Sequence, residues 1–196
     1  MTISDAALRD LSAAVRGRVL MPGARGYDAA RRIFNAMIDH RPALIVRCAA
    51  ASDVTACVDF ARAQGLNVSV KGGGHNVSGK SVCDDGLMID LSPMKGLRVD
   101  APRRVARAEP GLTLGELDRE CQTFGLATPT GNVSPTGIAG LTLGGGIGWL
   151  NGTHGLACDN VMSVDIVTAD GKLRTASATE HPDLYWAVRG GGANSS

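Results

Sequence analysis

Apolar residues recur at helical spacing in the first stretch of the chain: Ala7, Leu8, Leu11, Ala14 and Val15 share one face behind Ser4, an N-cap residue type, and Gly17 stops the run. The pattern predicts an amphipathic helix over residues 4–17. A second, shorter helix is expected over 28–38, between the Met21-Pro22-Gly23 turn and Arg41-Pro42, because the residue before a proline avoids the helical region. Its Arg31-Arg32 pair reads as solvent-facing. The period then changes. Residues 43–46 and 68–70 are short apolar runs that read as strands, and 52–64 between them reads as a capped helix ended by Gly65. Strand, helix, strand is the simplest parse, and it delivers the chain directly into three glycines and a histidine, Lys71-Gly72-Gly73-Gly74-His75-Asn76-Val77-Ser78-Gly79. An open α/β sheet places ligand loops at this point.

Further along, 87–91 and 96–100 are strand candidates, and 104–109 alternates polar and apolar residues as a half-buried strand does. Thr113-Leu114-Gly115-Glu116 fits a capping box that opens a helix to about Thr123, with Gly125 beyond it. Residues 128–149 are nearly uncharged and dense in glycine, a poor composition for a solvent loop; either the protein's own core or a ligand covers such a segment. Residues 161–169 form the strongest strand pattern. Asp170-Gly171 then reads as a hairpin turn into 172–175, and Pro182 starts a last helix to Val188 before the glycine-rich stretch 189–196.

Composition adjusts this picture in three ways. The 196 residues suit one compact unit or two small packed subdomains, and 20 basic against 19 acidic residues give no electrostatic pull toward nucleic acid or an anionic membrane. Glycine, 26 of 196 residues, is nearly double the ordinary usage of about 7%, without any repeat. Five cysteines stand far apart with no C-x-x-C pair, so they read as reduced, mostly buried thiols rather than a disulfide framework or zinc site. The first residues lack the basic start and apolar core of a signal peptide, and no apolar run has membrane length; a cytoplasmic protein is expected.

Chemistry narrows to the two glycine clusters. A run of glycines is kept where backbone adopts positive φ or approaches something closely, and a row of bare amides suits an anionic group such as a pyrophosphate. A flexible surface turn gives the same composition. The dinucleotide pattern G-x-G-x-x-G fails at both clusters, since its sixth position is Val77 from Gly72 and Trp149 from Gly144; a nicotinamide-type dehydrogenase is therefore unsupported. No nucleophile elbow, P-loop lysine or H-E-x-x-H is present. His40, His154 and His181 have no partners at metal spacing and read as surface or capping residues. His75 differs, because the glycine loop sets it where a phosphate-bearing ligand lies, within reach of bonding to it or joining it covalently. Asn76 and Ser78 beside it can hydrogen-bond a ligand or simply close a turn.

Four ordered motifs, Val70-Lys71-Gly72-Gly73-Gly74-His75-Asn76, the segment 137–149, the stretch from Asp159-Asn160-Val161 to Asp170-Gly171, and Asp183-Leu184-Tyr185-Trp186-Ala187-Val188-Arg189-Gly190-Gly191-Gly192, closely resemble the FAD-binding domain of the berberine-bridge-enzyme-like oxidoreductases. These belong to the vanillyl-alcohol-oxidase and p-cresol-methylhydroxylase (PCMH) superfamily. The resemblance covers nearly the whole chain. It implies a PCMH-type α+β fold of two subdomains, about 1–100 and 101–196, with FAD extended between them and its pyrophosphate on the loop 71–79. It also implies cofactor contacts from Gly72, Gly73, Gly74, His75, Asn76, Ser78, Gly137, Gly140, Gly145 and Ile166, with His75 joined to the flavin 8α-methyl. Bicovalent members carry a cysteine where Val133 stands, so a single link is expected here, and the histidine that plant-type members often place at the position of Leu141 is absent.

The implied chemistry is oxidation of a C–H bond in an alcohol, amine, sugar or polyketide-like small molecule by hydride transfer to the flavin. Family members continue into a substrate domain that supplies the catalytic base. The expectation for this chain is therefore an FAD-binding portion without that domain, acting as a truncated product or beside a separate substrate-domain chain, with no residue assigned as base. The alternative is a non-catalytic flavin-binding remnant or interaction protein.

Overall fold

The computed structural model describes residues 3–192; positions 1–2 and 193–196, the latter the end of the closing glycine-rich stretch, lie outside the described residues. The chain is α+β, as expected, and divides into two compact units, 1–94 with 167–173 and 95–166 with 174–196.

In the first unit a four-stranded sheet is built from β1 (Arg18–Leu20), β2 (Leu44–Arg47), β3 (Val68–Lys71) and β4 (Leu87–Asp90), in the order β1-β2-β4-β3. β1 is antiparallel to β2, while β2 and β3 both run parallel to β4, with Val46 and Val70 flanking Ile89. The strand–helix–strand reading holds for the elements, but β4 inserts between the two strands that α3 (Ala51–Gln64) connects. Two buried faces explain the unbroken apolar runs of β2 and β4. Leu44, Val46, Leu87 and Ile89 pack with Leu11, Val15 and Cys57 on one side. Ile45 and Met88 pack with Leu20, Tyr27, Ala30 and Val82 on the other. Each of these fully buried aliphatic side chains contributes about 1.5–3 kcal/mol.

α1 (Asp5–Ala14) is capped by Ser4 as expected, but ends before Gly17. Gly17 serves a different purpose: a Cβ there would overlap the Arg47 carbonyl oxygen. The adjacent main chain is tied to Asp53, a fully buried carboxylate that accepts from the amides of Arg16 at 2.9 Å, Gly17 at 3.0 Å and Ala49 at 2.8 Å. Ser52 is not the cap of α3, whose N-cap position is Ala50. Its end is as read, with Gly65 at φ 62° and the Leu66 amide donating back to Ala61. Cys48 and Cys57 are buried together, and their contact, with burial, pushes the Cys48 thiol up.

The second helix is much shorter than the periodicity suggests. α2 covers only Tyr27–Arg31, after which Arg32 turns extended and 33–38 becomes a loop. Arg31 is not solvent-facing either; its side chain is 11% exposed and bonds Asp28 at 2.9 Å, Asp39, and the His40 carbonyl at 3.3 Å.

The second unit has a hairpin of β5 (Leu97–Asp100) and β6 (Val105–Ala108), then α4 (Leu114–Gln122), α5 (Ile138–Leu143), α6 (Asn151–His154) and a 3₁₀ turn at Ala157–Asn160. The capping box forms, with Glu116 accepting from the Thr113 amide at 2.7 Å and its hydroxyl at 3.0 Å. β6 is mostly exposed rather than half-buried. β7 (Ser163–Val167) and β8 (Leu173–Ser177) form the hairpin expected around Asp170-Gly171, and α7 (Pro182–Ala187) begins at Pro182. All five cysteines are free thiols. No helix among the described residues is long and apolar enough to cross a membrane.

Candidate functional site

β3 ends at Lys71, whose side chain is held beneath the loop it introduces. Its amine donates to the Ala30 carbonyl and lies 3.7 Å from Asp90, itself paired with Arg47 at 3.2 Å. Burial draws the Lys71 ammonium below the usual lysine range, with the Asp90 charge opposing. A cavity of about 230 Å³ opens beside this group, lined by Arg47, Lys71, Asp90 and Ser92 among others.

From there the chain runs through 72–79 without regular structure. Gly74 takes φ 70° and Gly79 φ 80°, conformations that need glycine. A Cβ on Gly74 would lie 3.3 Å from the Lys71 stem, and one on Gly79 3.0 Å from Ile38. None of the seven consecutive amides from Gly72 to Ser78 donates to a carbonyl or side chain within the described residues. The loop is nonetheless fixed, because contacts from residues 30–38 support it. The Phe34 amide donates to the Gly74 carbonyl at 2.9 Å, and the Asn35 side chain donates to the Val77 carbonyl at 2.9 Å. Asn76 and Ser78 bond one another at 2.8 Å, and Asn76 also accepts from the Lys80 amide at 3.0 Å, so both side chains close the turn.

His75 is half-buried, and its imidazole stacks on Phe34 with centroids 4.1 Å apart and planes at 18°. Neither ring nitrogen has a hydrogen-bond partner among the described residues. Just past the loop, Ser81 is buried with its hydroxyl unpartnered. Fixed, uncommitted amides and an orphaned hydroxyl next to a positive-φ glycine cradle form a donor set for an anionic, polyoxygenated group, and FAD has that chemistry in its pyrophosphate and ribityl chain.

The other expected residues lie in the second unit. Gly137 precedes α5, where it bridges Thr113. Gly140 is exposed within α5, and Gly145 follows it at φ 112°, its carbonyl accepting from the Cys158 amide at 2.9 Å. A Cβ on Gly140 or Gly145 would meet nothing within 4 Å. Ile166 is half-buried in β7. Two of the remaining histidines have structural partners: His40 bonds Asp84 at 2.5 Å, and His181, the N-cap residue of α7, bonds the Thr175 carbonyl at 2.9 Å. The His154 carbonyl accepts from Asn160 at 2.9 Å.

Sequence reasoning missed Phe34, the Lys71 amine and Ser81. Phe34 lies inside what periodicity read as a helix. The Lys71–Asp90 pair was within reach, since adjacent parallel strands ending in opposite charges can pair across their ends.

Four findings with known proteins agree with this picture. A family model described as FAD binding domain matches residues 42–177. The chain is 41% identical over 180 residues to the (R)-6-hydroxynicotine oxidase of Paenarthrobacter nicotinovorans, an alignment covering 92% of this chain and 39% of that protein. Among solved structures it is similar to BBE-like 1 of Physcomitrella patens (TM-score 0.88, 31% identity, 93% of this chain and 40% of that one). It is equally similar to the xylooligosaccharide oxidase of Myceliophthora thermophila (TM-score 0.88, 32% identity, 94% and 40%). The chain thus spans about 40% of the length of these relatives.

Proposed function

The chain belongs to the FAD binding domain family, and from that membership we propose that it is the cofactor-holding part of a flavin-dependent oxidoreductase. Bound FAD supplies the redox chemistry, accepting a hydride from a C–H bond of a small-molecule amine, alcohol, sugar or polyketide-like substrate. A hydroxynicotine oxidase and a xylooligosaccharide oxidase among the relatives support the amine and sugar ends of that range. The chain's own residues bind and orient. In this reading the amides of Gly72, Gly73 and Gly74 and the side chains of Asn76 and Ser78 face the cofactor's polar middle. Gly137, Gly140, Gly145 and Ile166 contribute further contacts. His75 is the single covalent attachment point, since Val133 stands where a second, cysteine link would be. A substrate-domain partner and a cytoplasmic location belong to the same reading, the latter supported by five unpaired thiols.

The observation that carries it is the row of uncommitted amides leading into His75. Purified protein is expected to take up FAD and turn yellow, and acid precipitation is expected to leave flavin in the pellet of the wild-type chain but not of His75→Ala. Colourless protein that takes up no FAD on reconstitution overturns the proposal. Yellow retained in the variant's pellet overturns the attachment point alone.

A further inference from the structure

Phe34 is 65% exposed, yet it is held firmly. Its amide donates to the carbonyl of Gly74, the residue immediately before His75, and the neighbouring Asn35 ties the strap to Val77. Its ring lies nearly parallel to the imidazole at 4.1 Å. A histidine with a chemical role ordinarily has its ring orientation fixed by a hydrogen bond to one of its nitrogens. The described residues provide none for His75, so the stack is what sets the ring plane. Burial does not explain the arrangement, because a ring left this exposed gains little from the hydrophobic effect.

We propose that Phe34 is a positioning residue for His75, its ring fixing the imidazole plane so that the lone pair of the unprotonated nitrogen points edge-on out of the stack toward the flavin. The lone pair of the unprotonated imidazole nitrogen lies in the ring plane. Stacking on Phe34 opposes rotation about Cβ–Cγ that would tilt the imidazole out of this plane, which restricts approach of the flavin 8α carbon to the exposed edge. This rests on the reading of His75 as attachment point. In that attachment the 8α C–H and the imidazole N–H are replaced by a C–N bond, and the two electrons and two protons released leave through the flavin to dioxygen, which becomes hydrogen peroxide.

The test uses the 196-residue chain as wild type, Phe34→Ala, Phe34→Trp and Phe34→Leu. Two readouts are followed: the rate at which acid-stable flavin accumulates on incubation with FAD, and the His75 ring-proton resonances without FAD. Expected in Phe34→Ala are a rate lower by about tenfold or more, as misplacement of a reacting group produces, and loss of the upfield ring-current shift on His75. Phe34→Trp restores both, and Phe34→Leu, which keeps apolar bulk without a planar ring, restores neither and controls for folding. Unchanged resonances in Phe34→Ala, or a loss of rate that Phe34→Leu rescues as well as Phe34→Trp, overturns the proposal. If the wild-type chain accumulates no acid-stable flavin, the attachment reading fails and the resonances alone decide whether Phe34 sets the ring.

Discussion

The two glycine-rich regions look alike in composition and behave differently in the structure. In 72–79 the glycines free the backbone: positive φ at Gly74 and Gly79 turns the chain, and the amides from Gly72 to Ser78 have no partner among the described residues. In 128–149 several glycines instead admit close packing. A Cβ on Gly131 would overlap Leu141, one on Gly146 would overlap Ala157, and one on Gly148 would overlap the Thr130 carbonyl oxygen. Gly140 and Gly145 of that region have open space above them. The number of glycines therefore does not separate the two regions: a methyl at Gly131 or Gly148 would have no room, whereas at Gly74 and Gly79 the left-handed φ is what calls for glycine.

Alanine substitutions put that distinction under test. The largest effect is expected at Gly148→Ala, where the methyl has no room against main chain. A loss of about 3 kcal/mol or more is expected, the scale of an unrelieved clash, read as a collapse of the thermal transition. A melting temperature near wild type would break the packing half of the comparison. Next is Gly74→Ala. Its left-handed φ costs about 1–2 kcal/mol in a non-glycine residue, and relaxation of the loop is expected to raise the Kd for FAD by about tenfold, equivalent to ~1.4 kcal/mol. Titration of flavin fluorescence checks this, and unchanged affinity would remove Gly74 from the cradle. The smallest effect on stability is expected at Gly140→Ala. The methyl meets nothing and the position is helical, so the fold is expected to gain about 0.5–1 kcal/mol. The same variant is expected to bind FAD more weakly if the open face of Gly140 is a cofactor contact. A gain in stability with unchanged FAD affinity would reassign Gly140 as a structurally neutral position.

Local signals were legible in the sequence wherever the cause was itself local. Thr113 with Glu116, Gly65 after α3, and Pro182 at the start of α7 each act within one turn of their own position, and each element begins or ends where those residues place it. The glycine loop was legible for the same reason. What could not be read depends on partners far along the chain. Periodicity carries a helix through 28–38, but the Phe34 amide bonds to Gly74 and the Asn35 side chain to Val77, and those contacts win over propensity. Arg31 is drawn inward by Asp39 and the His40 carbonyl for a similar reason. The insertion of β4 between β2 and β3 went unread too, although Ser69 and Lys71 interrupt the apolar run of β3 while β2 and β4 keep theirs.

That insertion has a consequence for how the first unit is assembled. Among the described residues β3 is an edge strand whose partner is β4, and β4 follows it through the connection that contains the glycine loop. The ladder that holds β3 in place cannot form until this connection has closed on itself, so the entropy lost in loop closure is charged to the same event that completes the sheet. Whatever holds the loop in its closed form acts on the folding equilibrium of the whole unit. A ligand bound there at a hundred times its Kd would raise the stability by about 2.7 kcal/mol, as for any ligand that binds only the native state. A ligand that binds this loop would thus be linked thermodynamically to completion of the sheet.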